Sequence, residues 1–325
     1  MGNIEVVGMG ALNIDHLYRV EHILDDGEAV VNEAKSFPGG SAANTIYGLA
    51  KLEVNTAYTG TVGDDEAGKM LLQDFQKAGV DTSQIMTKPG ATTGSVLCLS
   101  DRLGRRSLYV IPGANSLLTI DNLDLIYINQ AKWLHLSSFA DDQQLKVLLE
   151  LMDRLASSVK LSFAPGVLHT IKEMTILSPI LNRTHLLFVN QREMRHLTGE
   201  DVIAGAESCL KQGCHIVVVT LGKGMKLEVG SRTVTAIAYV RDIGNEYAIE
   251  PASQDTVSEV DATGAGDAFA TGFLYGLLKG KGLYECGCLG DSIARFSLTK
   301  LGAREGLPTL TELAQRYHEL YNQQL

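Results

Sequence analysis

The chain has 325 residues, 45% of them hydrophobic, and 28 Lys and Arg against 38 Asp and Glu give a formal net charge of -10. That content suffices for the core of one large α/β unit or two smaller ones, and an acidic balance without clustered Lys and Arg excludes a nucleic-acid partner while leaving a nucleotide ligand open. No apolar run approaches the ~20 residues of a membrane span, the start carries no basic segment followed by an apolar stretch, and the five cysteines lack paired C-x-x-C spacing. They read as buried reduced thiols, and the expected location is the cytoplasm.

In chain order, short apolar and β-branched runs alternate with helical spacing. Glu5-Val6-Val7, Thr56 to Thr59, Trp133 to Leu136, Lys160 to Phe163, Leu186 to Val189 and Ile216 to Val219 read as buried parallel strands. Ile46 to Leu52, Gly68 to Ala78, Asp142 to Ala156, Gln191 to Leu197, Ala204 to Gln212 and Ala268 to Leu278 carry helical patterns. This rhythm predicts an α/β fold, a doubly wound, mostly parallel sheet flanked by helices, over a single domain spanning 1–325. Two stretches alternate with period two instead: 16–37, and 93–111, which folds back at Asp101-Arg102-Leu103-Gly104. They predict a small antiparallel sheet projecting from the core, either an extension or a dimer contact.

Two glycine-bearing loops run directly into apolar helices. In Asp261-Ala262-Thr263-Gly264-Ala265-Gly266-Asp267, small residues at Gly264, Ala265 and Gly266 let the backbone approach an anion, and the first N–H groups of the following helix have no intrahelical partner. Asp267 at the mouth of that site has the chemistry of a general base: it accepts a hydroxyl proton while the N–H groups hold charge on a transferred phosphoryl group. As a plain turn with a first-turn carboxylate, the same segment would have no such role. Pro38-Gly39-Gly40-Ser41-Ala42-Ala43-Asn44 is a second loop of this style, and two such loops point to two anionic or polyhydroxyl ligands. Asn13 and Asp15 lie two apart after an apolar run, on one side of an extended segment. Asn190 and Glu193 lie three apart at a helix start, on one face.

Other motifs fail on spacing or context. Val7-Gly8-Met9-Gly10-Ala11-Leu12-Asn13 begins like a dinucleotide-binding G-x-G-x-x-G, but ends in Asn13 and is followed by a strand pattern. Gly276 to Lys281 is one residue short of a P-loop and trails a helix. The eight histidines show no metal-binding spacing.

Both loops and several shorter motifs together resemble the PfkB, or ribokinase-like, carbohydrate kinases. The matching segments are Gly39-Gly40-Ser41-Ala42-Ala43-Asn44 and Asp261 to Asp267, with Gly8 to Asp15, Thr61 to Gly68, Pro112-Gly113-Ala114-Asn115, Asn190 to Glu193 and Thr220-Leu221-Gly222-Lys223-Gly224 in the same order over nearly the whole chain. Ala262 departs from the Thr most often found there, without changing the backbone pattern. The resemblance implies ATP-dependent phosphorylation of a hydroxymethyl group on a sugar or sugar acid, with a nucleoside as the alternative acceptor. It implies that Asn13, Asp15, Gly39, Gly40, Asn44 and Asn115 bind the acceptor, and that Asn190, Thr220, Gly222 and Gly224 bind the nucleotide. Asn190 and Glu193 would organise Mg²⁺ through its waters, and Asp261 would take part in a monovalent-cation (K⁺) site, although Gly306 stands where some members offer a hydroxyl. The adenine would lie between 242–257 and 292–302, and 241–258 is longer and more polar than the family pattern leads one to expect. The two period-two stretches would form a lid over the sugar site and the contact of a homodimer. Arg105 and Arg106 on the second lid strand are candidates to receive a charged substrate, and Tyr18, Phe37, Tyr109 and Phe139 are candidates to stack on a base. A sensor that binds without catalysing is the non-enzymatic alternative, against which the presence of Asp267 argues.

Overall fold

A computed structural model of the chain describes residues 3–103, 105–137, 139–252 and 258–325. Gly104 of the expected lid turn and 253–257 of the long polar segment lie outside the described residues. The elements run β1 (Val6–Met9), β2 (Asn13–Val20), β3 (Val31–Gly39), α1 (Ser41–Lys51), β4 (Thr56–Gly63), α2 (Glu66–Ala78), β5 (Asp81–Lys88), β6 (Gly94–Ser100) and β7 (Arg106–Ile111). Then follow α3 (Leu125–Ile128), β8 (Trp133–Ser137), α4 (Asp142–Arg154), β9 (Lys160–Ala164), α5 (Gly166–Thr170), α6 (Met174–Arg183), β10 (Thr184–Asn190), α7 (Gln191–Thr198) and α8 (Val202–Lys211). The chain closes with β11 (Ile216–Val229), β12 (Arg232–Asp242), β13 (Glu246–Ile249), α9 (Ala265–Leu278), α10 (Leu283–Ser297) and α11 (Leu310–Tyr321).

Among the described residues, nine strands form the main sheet in the order β13-β12-β11-β10-β9-β8-β1-β4-β5. From β11 to β5 every pairing is parallel, while β12 and β13 add two antiparallel strands at one edge. Strand alternation divides the core into two layers. Val7, Leu134, Leu161 and Val217 face α4, α6, α7 and α8, whereas Val6, Trp133, Leu186 and Val218 face α1, α2, α9, α10 and α11. Helices therefore cover both faces, as the apolar strand runs imply. The strand order reverses between β1 and β8, and in such sheets ligands settle at the carboxyl ends beside that reversal.

The second sheet has the order β3-β2-β6-β7. Both period-two stretches form antiparallel hairpins, and their inner strands β2 and β6 pair in parallel, from Asn13 opposite Gly94 to Arg19 opposite Ser100. Part of the long polar segment also joins a sheet: β13 pairs with β12 after a turn in which Asp242 Oδ1 accepts the N–H groups of Gly244 and Asn245. All five cysteines are free and buried. Among the described residues, no helix is long and apolar enough to cross a membrane.

Candidate active site

Two helix starts converge at the carboxyl end of the main sheet. Gly40 precedes α1 with φ 98°, a conformation that favours glycine, and a side chain there would run into the Ala11 carbonyl. Gly264 precedes α9 with φ 75°, and its Cα sits against Ala303. These two turns bring Asp267, in the first turn of α9, against the first turn of α1. Ser41 Oγ donates to Asp267 Oδ1 at 2.7 Å and Asn44 Nδ2 donates to Oδ2 at 2.8 Å. The Asp267 carbonyl accepts from Thr271 Oγ1 at 2.9 Å, which ties the carboxylate's own helix turn.

Behind Asn44 lies a residue that motif reading missed. Arg304, 5% exposed, donates through Nε to Asn44 Oδ1 at 2.9 Å, through Nη1 to Asp74 Oδ2 at 2.6 Å and through Nη2 to the Gly39 carbonyl at 3.0 Å. Its guanidinium also covers the rings of Phe75 and Tyr47 at 5.0 and 5.2 Å. The Asn44 amide is thereby fixed, its oxygen toward Arg304 and its nitrogen toward Asp267. Its position makes it a holder of Asp267, and it also lines the cavity. Arg304 follows Asp267 by 37 residues with no motif around it, so only the folded contact reveals its part.

Two cavities meet at Asp267, which together with Ser41 lines both. The larger, about 430 Å³, lies under the second sheet and takes Asn13, Asp15, Gly40, Asn44 and Phe37 into its wall. The smaller, about 120 Å³, is lined by Asn190, Glu193, Thr220 and Gly266. The structure thus brings Asn13, Asp15, Gly40 and Asn44 to one side of Asp267, and Asn190, Glu193 and Thr220 to the other. Gly39 stands behind, with its Cα packed on the Asp15 carboxylate. Asn115 is placed differently from the expectation of substrate contact. It is buried, accepts the Leu12 N–H at 2.9 Å, and donates to Leu12 O, Asn13 Oδ1 and Pro112 O at 3.1, 3.0 and 2.9 Å, so it pins the strand that carries Asn13.

The loop before α9 also sorts its N–H groups. Ala265 N–H donates to the Ala262 carbonyl at 3.3 Å, closing a turn, so it is not the open donor that the loop pattern suggests. The N–H groups of Gly264, Gly266 and Asp267 have no acceptor among the described residues, which leaves them available to an anion. Asn190 and Glu193 form a reciprocal cap: Asn190 Oδ1 accepts the Glu193 N–H and Glu193 Oε2 accepts the Asn190 N–H, each at 2.9 Å. Thr220 sits where β11 leaves its ladder. The expected loop after Val219 is a bulge inside a longer strand: pairing with β12 lapses between Thr220 and Met225 and resumes to Val229, with Gly222 and Gly224 at φ 61° and 109°. Lys223 points outward to Glu259 at 2.9 Å.

Burial raises two of the carboxylates that line the larger cavity. It pushes Asp267 up to about 6, with Glu193 adding to the rise, while the Asn44 and Ser41 hydrogen bonds and Arg304 oppose it. It pushes Asp15 up to about 7, opposed by Arg304 and reinforced by Asp267. The two lid arginines are already paired, Arg105 with Asp101 and Arg106 with Asp261, at 2.7 and 2.6 Å. Of the four aromatic candidates only Phe37 lines the larger cavity; Phe139 is in the core and Tyr109 is 57% exposed.

Because Arg304 holds both Asn44 and Asp74 in a buried network, Arg304→Met leaves polar groups unpaired and should destabilise the fold by about 3 kcal/mol, the usual cost of halving a buried pair. Urea unfolding measures this directly; a loss below about 1 kcal/mol, the range of an exposed pair, would show that the network does not hold the two loops.

The description "pfkB family carbohydrate kinase" belongs to a family model that matches residues 3–310. An uncharacterised sugar kinase of Archaeoglobus fulgidus is 37% identical over 262 residues, 80% of this chain and 98% of its own length. A ribokinase of Haemophilus influenzae is 27% identical over 313 residues, covering 94% of this chain and 95% of that one. Among solved structures, a ribokinase of Thermotoga maritima superposes with a TM-score of 0.81 at 25% identity, covering 96% of this chain and 99% of that one. The chain is a member of the pfkB family of carbohydrate kinases, phosphotransferases that act on hydroxyl groups.

Proposed function

We propose that this chain transfers the γ-phosphoryl group of ATP to the hydroxymethyl group of a neutral sugar, with Asp267 as general base. The observation that carries this reading is the position of Asp267 between two cavities, under hydrogen bonds from Ser41 and Asn44 and beside N–H groups that have no protein acceptor. The sugar occupies the larger cavity, where Asp15 and Asn13 meet its hydroxyls. ATP phosphates enter the smaller one, and the N–H groups of Gly264, Gly266 and Asp267 receive the charge that spreads over the phosphoryl oxygens as Asp267 takes the acceptor's proton.

A neutral acceptor fits better than a charged one. Asp15, Asp261 and Asp267 all line the larger cavity, and its Arg106 is already paired with Asp261. A sugar acid or phosphorylated sugar would add negative charge without a free cation to receive it. The nucleoside reading is weakened in turn because, among the described residues, Phe37 is the single aromatic in the wall, and a base gains most from stacking.

For Mg²⁺ the donor set fits. Asn190 and Glu193 cap each other through one oxygen apiece, and burial holds the Glu193 carboxyl above the usual carboxylate range beside Asp267, a place that a divalent cation would neutralise. Among the described residues no group of three or more His, Cys, Asp or Glu forms a dedicated cage, which suits an ion that keeps waters and phosphate oxygens as ligands. When bound, the ion supplies neutralisation of phosphate charge.

A screen of MgATP turnover across pentoses, hexoses, keto-sugar acids and nucleosides should give ADP release with a neutral sugar, and release with nucleosides alone would overturn the preference. With the accepted sugar, Asp267→Asn should lower kcat by about a hundredfold or more, the usual contribution of a general base. Unchanged ADP production would remove Asp267 from the chemistry.

We further propose that the second sheet is a lid and that its outer face joins two copies of the chain. Support comes from its edge strand β7, where Tyr109 and Ile111 are 57% and 55% exposed. Sedimentation velocity should find a dimer that Tyr109→Lys shifts toward monomer; a wild-type monomer at every concentration would contradict the proposal.

A further inference from the structure

The family resemblance implies a monovalent cation at Asp261, and the atoms around that carboxylate do not suit one. Asp261 Oδ1 accepts the Thr263 N–H at 3.0 Å, the Thr263 hydroxyl at 2.8 Å and Arg106 Nη2 at 2.6 Å, while Oδ2 accepts the Gly302 N–H at 3.0 Å. The two N–H groups and the guanidinium are donors only, and the Thr263 hydroxyl oxygen already receives Arg106 Nη1 at 3.2 Å, so these neighbours leave few electron pairs for a metal ion. One of them also carries a full positive charge, which at contact distance repels a second cation.

We propose that the Arg106 guanidinium is itself the cation of this loop, a positioning residue supplied by the lid, and that the chain needs no monovalent ion at Asp261. Arg106 opens the edge strand β7, 155 residues from its partner. Its Nη1 donates to Thr263 Oγ1 at 3.2 Å while Nη2 holds Asp261, so one planar fork brackets both ends of the turn. The nearby arginines are committed elsewhere, Arg105 to Asp101 and Arg102 to Glu21. The Asp261 side chain is 6% exposed and that of Arg106 is 39% exposed, so the pair is desolvated at its acidic end and open at its basic end. A carboxylate so buried is costly without a countercharge.

The turn that Asp261 organises sets the anion site. Its carboxylate receives the Thr263 N–H, and Gly264 then takes φ 75° to start α9, whose first N–H groups face the transferred phosphoryl group in the reading above. A guanidinium carried by the second sheet therefore completes a loop of the main domain only when that sheet lies over the cavity. Closure over the sugar and ordering of the anion site become one event, which an exchangeable ion would not link.

The test has two arms, and only the second rests on the kinase reading. In thermal unfolding of the full chain without substrate, at equal ionic strength, the wild type should have the same Tm in potassium chloride as in choline chloride. Arg106→Ala should have a lower Tm that millimolar methylguanidinium restores and potassium does not, and Arg106→Lys should fall between the two. A wild-type Tm raised specifically by potassium, an unchanged Tm in Arg106→Ala, or a lowered one that potassium restores or methylguanidinium does not would overturn the proposal. With the sugar found to turn over, Arg106→Ala should lower kcat about tenfold or more, as expected for loss of a charge-assisted hydrogen bond. The KM for that sugar should change by a smaller factor than kcat does, because Arg106 is bonded to the anion loop and reaches the sugar only through closure of the lid. A raised KM with kcat intact would instead make Arg106 a substrate contact and refute the positioning role.

Discussion

Everything at this site depends on one carboxylate being held by a helix that starts more than two hundred residues away in sequence. Asp267 receives a hydroxyl from Ser41 and an amide from Asn44, contacts separated by 226 and 223 residues. These two bonds join the loop that opens α1 to the loop that opens α9. Arg304 then fixes the giver, through the Asn44 oxygen and the Gly39 carbonyl, and Asp74 balances its charge. Catalysis of phosphoryl transfer is mostly positioning and charge neutralisation, so a rigid mount for the base is the main thing the fold must supply.

Burying that carboxylate works against stability, and the mount only partly offsets it. Burial raises Asp267 from 3.8 to about 6, so the fold prefers the protonated acid. Its contribution to stability is fully present below pH 3.8 and is lost as pH rises through about 6. Asp15 behaves likewise up to about 7. The ionised forms that the proposed reaction requires near neutral pH are therefore held by the fold at some cost, a common signature of sites shaped for chemistry. Arg304 limits that cost for both carboxylates.

Much of this arrangement was legible in the chain. Strand runs such as Ile216 to Val219 are apolar on both faces and announce a parallel sheet, and the glycines at 40 and 264 announce tight turns into helices because few other residues tolerate their backbone angles. The period-two stretches gave the second sheet. What stayed hidden depends on tertiary contact. Arg304 sits in an unremarkable segment, and nothing nearby marks it as buried. Asn115 lies in a recognisable motif, yet its amide is consumed by Leu12, Asn13 and Pro112. Arg106 reads as a candidate to receive a charged substrate until Asp261 is placed beside it. The continuation of β11 past Thr220 was equally hidden, because two glycines normally end a strand and here they only bulge it.

In the proposed reaction ionised carboxylates on the acceptor side of one transfer point do the work, and the pH dependence of kcat/KM for the accepted sugar reads their ionisation. Asp15 at about 7 and Asp267 at about 6 must both be ionised in the free enzyme, so kcat/KM should be level at alkaline pH and fall as pH drops below about 7. The decline should steepen toward two decades per pH unit below about 6 as the second carboxylate also protonates. A profile that stays flat from pH 8 down to about 5, where both groups would be protonated, would contradict the account.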